Sequence, residues 1–229
     1  MRAGADSLDT RRPILALAAA SLAAAALFLW FPSIDLAVSQ AVSLGGRRFL
    51  LSDQGIARAI NGALPWIVGV TVAAILLIGL AVLLRRRPVL GLDLRRVAFL
   101  VLSFSVGPGL IVNVLLKTHW GRARPNDVAD FGGSAVFTPA LLPADQCPSN
   151  CSFVSGDVAI AFAYVAVALL LPARWRKAGL AGALLLGVAM AALRVLQGAH
   201  FLSDVVFAAL FTLLPIAVFA RLLLGRGRG

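Results

Sequence analysis

The chain has 229 residues, 60% of them hydrophobic and only 14% charged, with a mean hydropathy of +0.93 and a formal net charge of +11. That composition excludes a soluble globular domain and predicts an all-α, polytopic integral membrane protein forming one domain, 1–229. It excludes a nucleic-acid surface too: such surfaces gather cations on one solvated face among aromatics, whereas these fall in clusters between apolar runs, as membrane topology arranges them.

A start carrying Arg2, Arg11 and Arg12 leads into an Ala/Leu-rich run at 14–31. A secretory h-region is about 7–15 residues, so this longer run reads as a retained first span. Residues 32–62 are a moderately polar connection with Asp35, Gly45-Gly46-Arg47-Arg48 and Asp53, part of it suited to lie along the membrane interface. The second span is about 63–84, followed by Arg85-Arg86-Arg87, Pro88 and Arg95-Arg96. The third, about 97–116, contains Gly107-Pro108-Gly109, which should bend it. A long polar loop occupies 117–154. The fourth span is about 156–172, then the basic loop Arg174-Trp175-Arg176-Lys177; the fifth is about 178–193, and the sixth, about 201–224, ends in Arg226 and Arg228.

Six transmembrane helices put both termini on one side. That side collects Arg2, Arg11, Arg12, the 85–96 and 174–177 loops and the C-terminal arginines, against Arg47, Arg48, Arg58, Lys117, Arg122, Arg124 and Arg194 on the other. By the positive-inside rule the termini are cytoplasmic. The expected location is the bacterial inner (plasma) membrane, multi-pass, with the 117–154 loop and the 194–204 stretch together on the periplasmic face. Cys147 and Cys151 then lie where disulfides form; a bond between them and a pair of free thiols both fit the sequence.

Three polar stretches on that outer side carry the chemistry. In the first, Arg194 to Asp204, a helix opened by His200 would place Asp204 one turn on along the same face, where a carboxylate takes the imidazole N–H and leaves the other nitrogen free. Arg194 reaches that point only if Gln197-Gly198-Ala199 form a turn. A cation, a nucleophile or base, and an orienting acid suit phosphate chemistry. The bland alternative, a loop with a stray charge pair, is disfavoured because ionisable residues at a membrane are functional by default. In the second, Lys117-Thr118-His119-Trp120-Gly121-Arg122-Ala123-Arg124-Pro125, Gly121 loosens the turn and Pro125 disfavours helix at Arg124. Lys117, Arg122 and Arg124 can then converge on a phosphate dianion; a snorkelling, headgroup-facing cluster is the alternative. In the third, Ser152 to Asp157, Ser155 is a good N-cap, Gly156 admits close approach, and the helix N-terminus offers free N–H groups to an anion. Alone this would be an ordinary capped helix; its weight comes from sharing a side with the other two.

At these stretches the chain resembles the type 2 phosphatidic acid phosphatase family, which includes the vanadium haloperoxidases. Lys117 and Arg124-Pro125 match its first motif, Ser155-Gly156 the core of its second, and Arg194, His200 and Asp204 its third. The resemblance implies a phosphatase/haloperoxidase-like six-helix core and a metal-independent phosphatase needing no cofactor. Lys117, Arg124, Ser155, Gly156 and Arg194 would hold the phosphate, with Arg122 auxiliary. His200 would attack phosphorus, oriented by Asp204, and water would then hydrolyse the phosphohistidine. The partner implied is a phosphorylated membrane lipid: undecaprenyl diphosphate, lipid A, phosphatidylglycerol phosphate or phosphatidic acid. The loop holding Cys147 and Cys151 is long enough to meet a sugar headgroup.

Two positions depart from the motif: Val154 stands for Pro and Asp157 for the His that donates a proton to the leaving group. Asp157 is therefore the candidate acid if bound phosphate raises its pKa, although nearby cations and the helix N-terminus push the other way. His119 is the second candidate, and a leaving group good enough to need no acid is the third reading; an Asp157 that only complements the helix dipole is the fourth. Rival functions are a lipid phosphotransferase using the same histidine, a lipid-phosphate binding or transport protein, and a metal site on Asp127, Asp130 and Asp145. Oligomeric state is not written in the sequence.

Overall fold

The computed structural model describes residues 11–52 and 55–225, so Arg2, Asp53, Arg226 and Arg228 lie outside the described residues. The first helix, α1 (Arg11–Trp30), has no charge beyond Arg12 and leaves Leu15, Leu22 and Leu27 exposed. The polar connection then folds as α2 (Ser33–Val42) and a small antiparallel hairpin of β1 (Ser43–Gly45) and β2 (Arg48–Phe49). An interfacial helix would turn its polar face to water. Instead α2 buries Asp35 and Ser39 against the protein and packs on α7 (Ala173–Leu196) and α8 (Leu202–Phe219), so its polar side faces inward.

Helix α3 (Gly55–Arg85) ends in the basic cluster. Asp93 then accepts a hydrogen bond from Arg96 N at 2.9 Å and starts α4 (Leu94–Phe104). Where a bend is expected at Gly107-Pro108-Gly109, the chain widens into a π-helical stretch, Ser105–Leu116, before one more α turn, α5 (Lys117–His119). Pro108 has no N–H for the α ladder, and Asn113 Nδ2 reaches back to Pro108 O at 2.7 Å, a five-residue span. Gly107 keeps this stretch tight against α8, since a Cβ there would sit 3.1 Å from Thr212 Cα.

Among the described residues, five helices are long and apolar enough to cross a membrane: Arg11–Trp30, Arg58–Arg85, Leu94–His119, Ala173–Leu196 and Leu202–Leu224. Where a fourth crossing is expected, α6 (Gly156–Leu169) has 14 residues, ~21 Å at 1.5 Å per residue against a hydrocarbon core of about 30 Å. It is nevertheless the centre of the bundle. Its Val158, Ala159, Ala161, Ala163 and Ala166 are almost fully buried, and it packs mainly on α7 and α8. Small residues permit that closeness: a Cβ on Gly187 of α7 would fall 2.6 Å from the Phe162 ring. Exposed Leu76, Leu77, Leu80, Leu83 and Leu84 on α3 and Leu184, Leu185 and Leu186 on α7 make an outer apolar surface suited to lipid. The loop 120–155 covers one end of the bundle, pinned by Trp120 stacked on Phe153 with centroids 5.0 Å apart.

Candidate active site

The end of α5, the starts of α6 and α8, and the turn after α7 meet under this loop. The loop leaves α5 through Gly121, whose φ of 69° and backbone contact with Ala144 O admit no side chain. It returns beside its own start: Cys151 N donates to Lys117 O at 3.3 Å and Ser152 N to Arg122 O at 2.9 Å. Cys147 and Cys151 form a disulfide just before that return. Ser152 to Ser155 are thereby delivered to the N-terminus of α6. A Cβ on Gly156 would lie 3.5 Å from Lys117 Nζ and 2.8 Å from Asn113 Oδ1, which places the first motif directly over the start of the second.

His200 sits in the turn between α7 and α8. Gly198 makes that turn with φ 65°, pressed on the Phe49 ring, and its carbonyl accepts from Asn126 N at 3.1 Å, so the third motif is tied to the first. The imidazole is 2% exposed, and its Nδ1 lies 2.8 Å from Ser152 O. A carbonyl only accepts, so Nδ1 carries the hydrogen and Nε2 keeps a free lone pair. Burial pushes this histidine down from 6.5 to about 4, with Asp204 opposing, so it is neutral near pH 7. The expected partner was Asp204 on one helical face. In the structure α8 begins at Leu202, after His200, and the nearest His200–Asp204 approach is 3.7 Å, an electrostatic contact rather than a hydrogen bond.

Three cations converge near a helix start, an arrangement suited to cradling an anion. Lys117, Arg124 and Arg194 lie within electrostatic reach of one another, and Lys117 and Arg124 within reach of His200. Arg124 donates from Nη2 to Asn150 O at 2.9 Å, and Arg194 from Nη1 to Gln197 Oε1 at 3.1 Å. Ser155 is the residue before α6, yet its hydroxyl makes no capping bond. Its Oγ is buried without a partner, and so is Arg194 Nε. Buried polar atoms are rarely left unpaired, and an anion at the start of α6 would satisfy both together with the free N–H groups there.

A profile of the PAP2 superfamily matches residues 98–228, more than half of the chain. The chain belongs to the PAP2 superfamily. It is similar to the lipid A 4'-phosphatase of Francisella tularensis subsp. novicida (strain U112), 40% identical over 118 residues, covering 51% of this chain and 53% of that protein. To the lipid A 4'-phosphatase of Rhizobium leguminosarum it is 44% identical over 121 residues, 53% of this chain and 51% of the relative. To the lipid A 1-phosphatase of Rhizobium johnstonii (strain DSM 114642 / LMG 32736 / 3841) it is 40% identical over 127 residues, 54% and 47% respectively. The chain spans about half the length of the curated relatives it matches. No solved structure matches.

Other expected site residues of this PAP2 protein take different places. Arg122 does not reach the cradle: it is 0% exposed, donates to Thr138 O at 2.9 Å, and bridges Asp204 at 2.5 Å and Asp35 at 2.8 Å. Its guanidinium lies 4.3 Å from the Phe201 ring centroid. Asp157 is ion-paired with Arg194, a contact that favours a carboxylate over a proton-holding acid. His119 is exposed and two residues beyond Lys117 on one helical turn, about 200° around the axis, so it points away from Gly156. Asp127 pairs with the exposed Arg47 at 2.5 Å, and among the described residues no three His, Cys or Asp stand close enough to share a metal ion.

Sequence reasoning missed Ser152, whose carbonyl fixes His200 and whose Oγ donates to Asp204 at 2.5 Å, and also Asn113, Ser203 and the depth of Asp35. Asp35 had a signal: it is the one acid in an otherwise uncharged helix.

Proposed function

We propose that this PAP2 protein hydrolyses a phosphate from a membrane lipid, lipid A first among the candidates, through a phosphohistidine at His200 on the periplasmic face. The observation that carries the reading is the His200 geometry. A buried neutral imidazole is held with Nδ1–H on Ser152 O and an unprotonated Nε2, at an anion cradle whose Ser155 Oγ and Arg194 Nε lack partners.

In the first step the Nε2 lone pair forms the N–P bond as the P–O bond to the lipid breaks. The leaving oxygen takes its proton from water, because Asp157 is held as a carboxylate by Arg194. In the second, water attacks phosphorus, the N–P electrons return to Nε2, and inorganic phosphate leaves. Lys117, Arg124, Arg194 and the N–H groups at the start of α6 stabilise the charge on the equatorial oxygens. Asp204 stays ionised and offsets the positive charge of the phosphorylated imidazole. Lipid A is preferred because both kinds of relative described above are named for it; its acyl chains would stay in the bilayer while the sugar phosphate meets the loop at 120–155.

The deciding assay is phosphate release by the purified protein from lipid A, undecaprenyl diphosphate, phosphatidylglycerol phosphate and phosphatidic acid, with mass spectrometry of the lipid product. Lipid A should be dephosphorylated fastest, and His200→Ala should lower the rate at least a thousandfold. Equal rates across the panel would remove lipid A as the preferred substrate. Phosphate appearing on a second lipid instead of in solution would convert the hydrolase into a phosphotransferase.

A further inference from the structure

Asp35 lies outside the stretch that the superfamily profile matches, and none of the three motifs calls for it. Its side chain is nonetheless 1% exposed and surrounded by donors: Arg122 Nη2 at 2.8 Å, Ser203 N at 2.8 Å and Ser203 Oγ at 2.5 Å. The serine hydroxyl turns its hydrogen to Asp35 because its oxygen already accepts from Arg122 Nη1 at 2.9 Å. Burial, and after it the nearby Asp204 carboxylate, raises the Asp35 carboxyl above its ordinary value, with the Arg122 guanidinium and the serine hydroxyl opposing; the shell of donors, which offers no acceptor for a carboxyl proton, is that of a carboxylate. On its other side Arg122 holds Asp204 at 2.5 Å, and an Asp204 oxygen lies 3.7 Å from His200 Nδ1.

Charge counting gives Asp35 a role. An Asp204–Arg122 pair alone is neutral. His200 is neutral before attack and becomes a cation when phosphorylated, inside a buried site where an uncompensated charge is costly. Asp35 adds a second carboxylate, so the Asp35–Arg122–Asp204 cluster carries one net negative charge, the complement of the phosphorylated imidazole. It also holds the far face of the guanidinium, through Nη2, so that Arg122 presents Nη1 to Asp204 in a fixed orientation.

We propose that Asp35, brought from α2, is a positioning residue for the reaction: it fixes Arg122 and gives the cluster behind His200 the net charge that the phosphohistidine requires. This rests on the phosphohistidine reading above.

The test uses the full-length purified protein and whichever lipid phosphate the wild type turns over fastest, with acid-quenched measurement of phosphoenzyme. Asp35→Asn should lower kcat and the rate of phosphoenzyme formation at least tenfold while KM stays within threefold. The double variant Asp35→Asn/Arg122→Gln removes one charge of each sign, restores the cluster's net charge, and should be faster than Asp35→Asn. Melting curves taken beside the kinetics separate a merely structural residue, whose loss would lower stability and leave kcat per folded molecule unchanged. A smaller fall in kcat, or a double variant no faster than the single, overturns the proposal. If Asp35→Asn yields no folded protein, the double variant decides alone: kcat above one tenth of wild type supports the proposal and a lower value overturns it. Wild type that releases no phosphate, or His200→Ala that still does, removes the phosphohistidine reading itself, whereas a His200-dependent wild type with an unimpaired Asp35→Asn removes only the role of Asp35.

Discussion

Asp157 stands where an acid is expected, and the structure makes it the partner of Arg194 instead. In the proposed reaction phosphate and Asp157 compete for one guanidinium, and relieving that competition should be visible in binding. Asp157→Asn is expected to lower KM severalfold and leave kcat within fivefold of wild type. A hundredfold loss of kcat with KM unchanged would return Asp157 to the role of acid. The pH profile tests His200 in the same way. Burial lowers its pKa to about 4, so the imidazole of the free protein stays neutral well below pH 6.5, and for the proposed nucleophile the acid limb of kcat/KM should lie near pH 4. By linkage the folded protein should lose stability as pH falls from 6.5 toward that value, because the unfolded chain takes up a proton that the buried imidazole refuses. A kcat/KM limb near pH 6.5 would contradict this. His200 and Asp204 were legible because they are four residues apart between apolar runs. Their actual linkage was not, because it runs through Ser152, whose carbonyl meets His200 Nδ1 and whose hydroxyl donates to Asp204, contacts set by chain return rather than by spacing.

The helices deliver these groups by their ends, and the start of α6 is the most demanding of them. Gly156 is its first residue, under Asn113 and Lys117. Gly156→Ala would put a methyl 2.8 Å from Asn113 Oδ1 and 3.5 Å from Lys117 Nζ. Both are side chains that can shift, so the protein should fold with a melting temperature within a few degrees of wild type. The cradle should suffer more: kcat/KM is expected to fall at least tenfold, measured on the lipid substrate beside a melting curve, and an unchanged kcat/KM would show that phosphate does not approach this backbone. Gly198 is the contrasting case. At φ 65°, with a Cβ 2.2 Å from Phe49 Cδ2, Gly198→Ala meets both backbone strain and an aromatic ring, and should destabilise the fold by about 1–3 kcal/mol. Hydropathy located these helices because bilayer thickness dictates apolar runs. It did not show that the third contains a π-helical stretch or that α6 is short, because a helix enclosed by α7 and α8 is as apolar as one facing lipid.

Orientation follows from the distribution of charge around this bundle. The site end carries the disulfide Cys147–Cys151 and the cradle, and its cations have assigned work: Arg122 in the buried cluster, Arg124 on Asn150 O, Arg194 with Asp157 and Arg47 with Asp127. The basic clusters at Arg85-Arg86-Arg87, Arg95-Arg96 and Arg174-Trp175-Arg176-Lys177 lie between helices away from that loop, where the positive-inside rule puts cytoplasm. A disulfide in the site loop also fits an oxidising compartment. Both arguments support the proposed periplasmic position of the loop at 120–155, where a lipid phosphate in the outer leaflet would meet it. Single cysteines on a Cys147→Ser/Cys151→Ser background that retains activity give the measurement. Ser134→Cys, exposed on the site loop, and Lys177→Cys, exposed at the start of α7, would be treated in intact spheroplasts with a membrane-impermeant maleimide. Residue 134 should label before lysis and residue 177 only after it. The reverse pattern would put the site in the cytoplasm, and both the preference for an outer-leaflet lipid and the oxidising environment inferred for Cys147 and Cys151 would fall together.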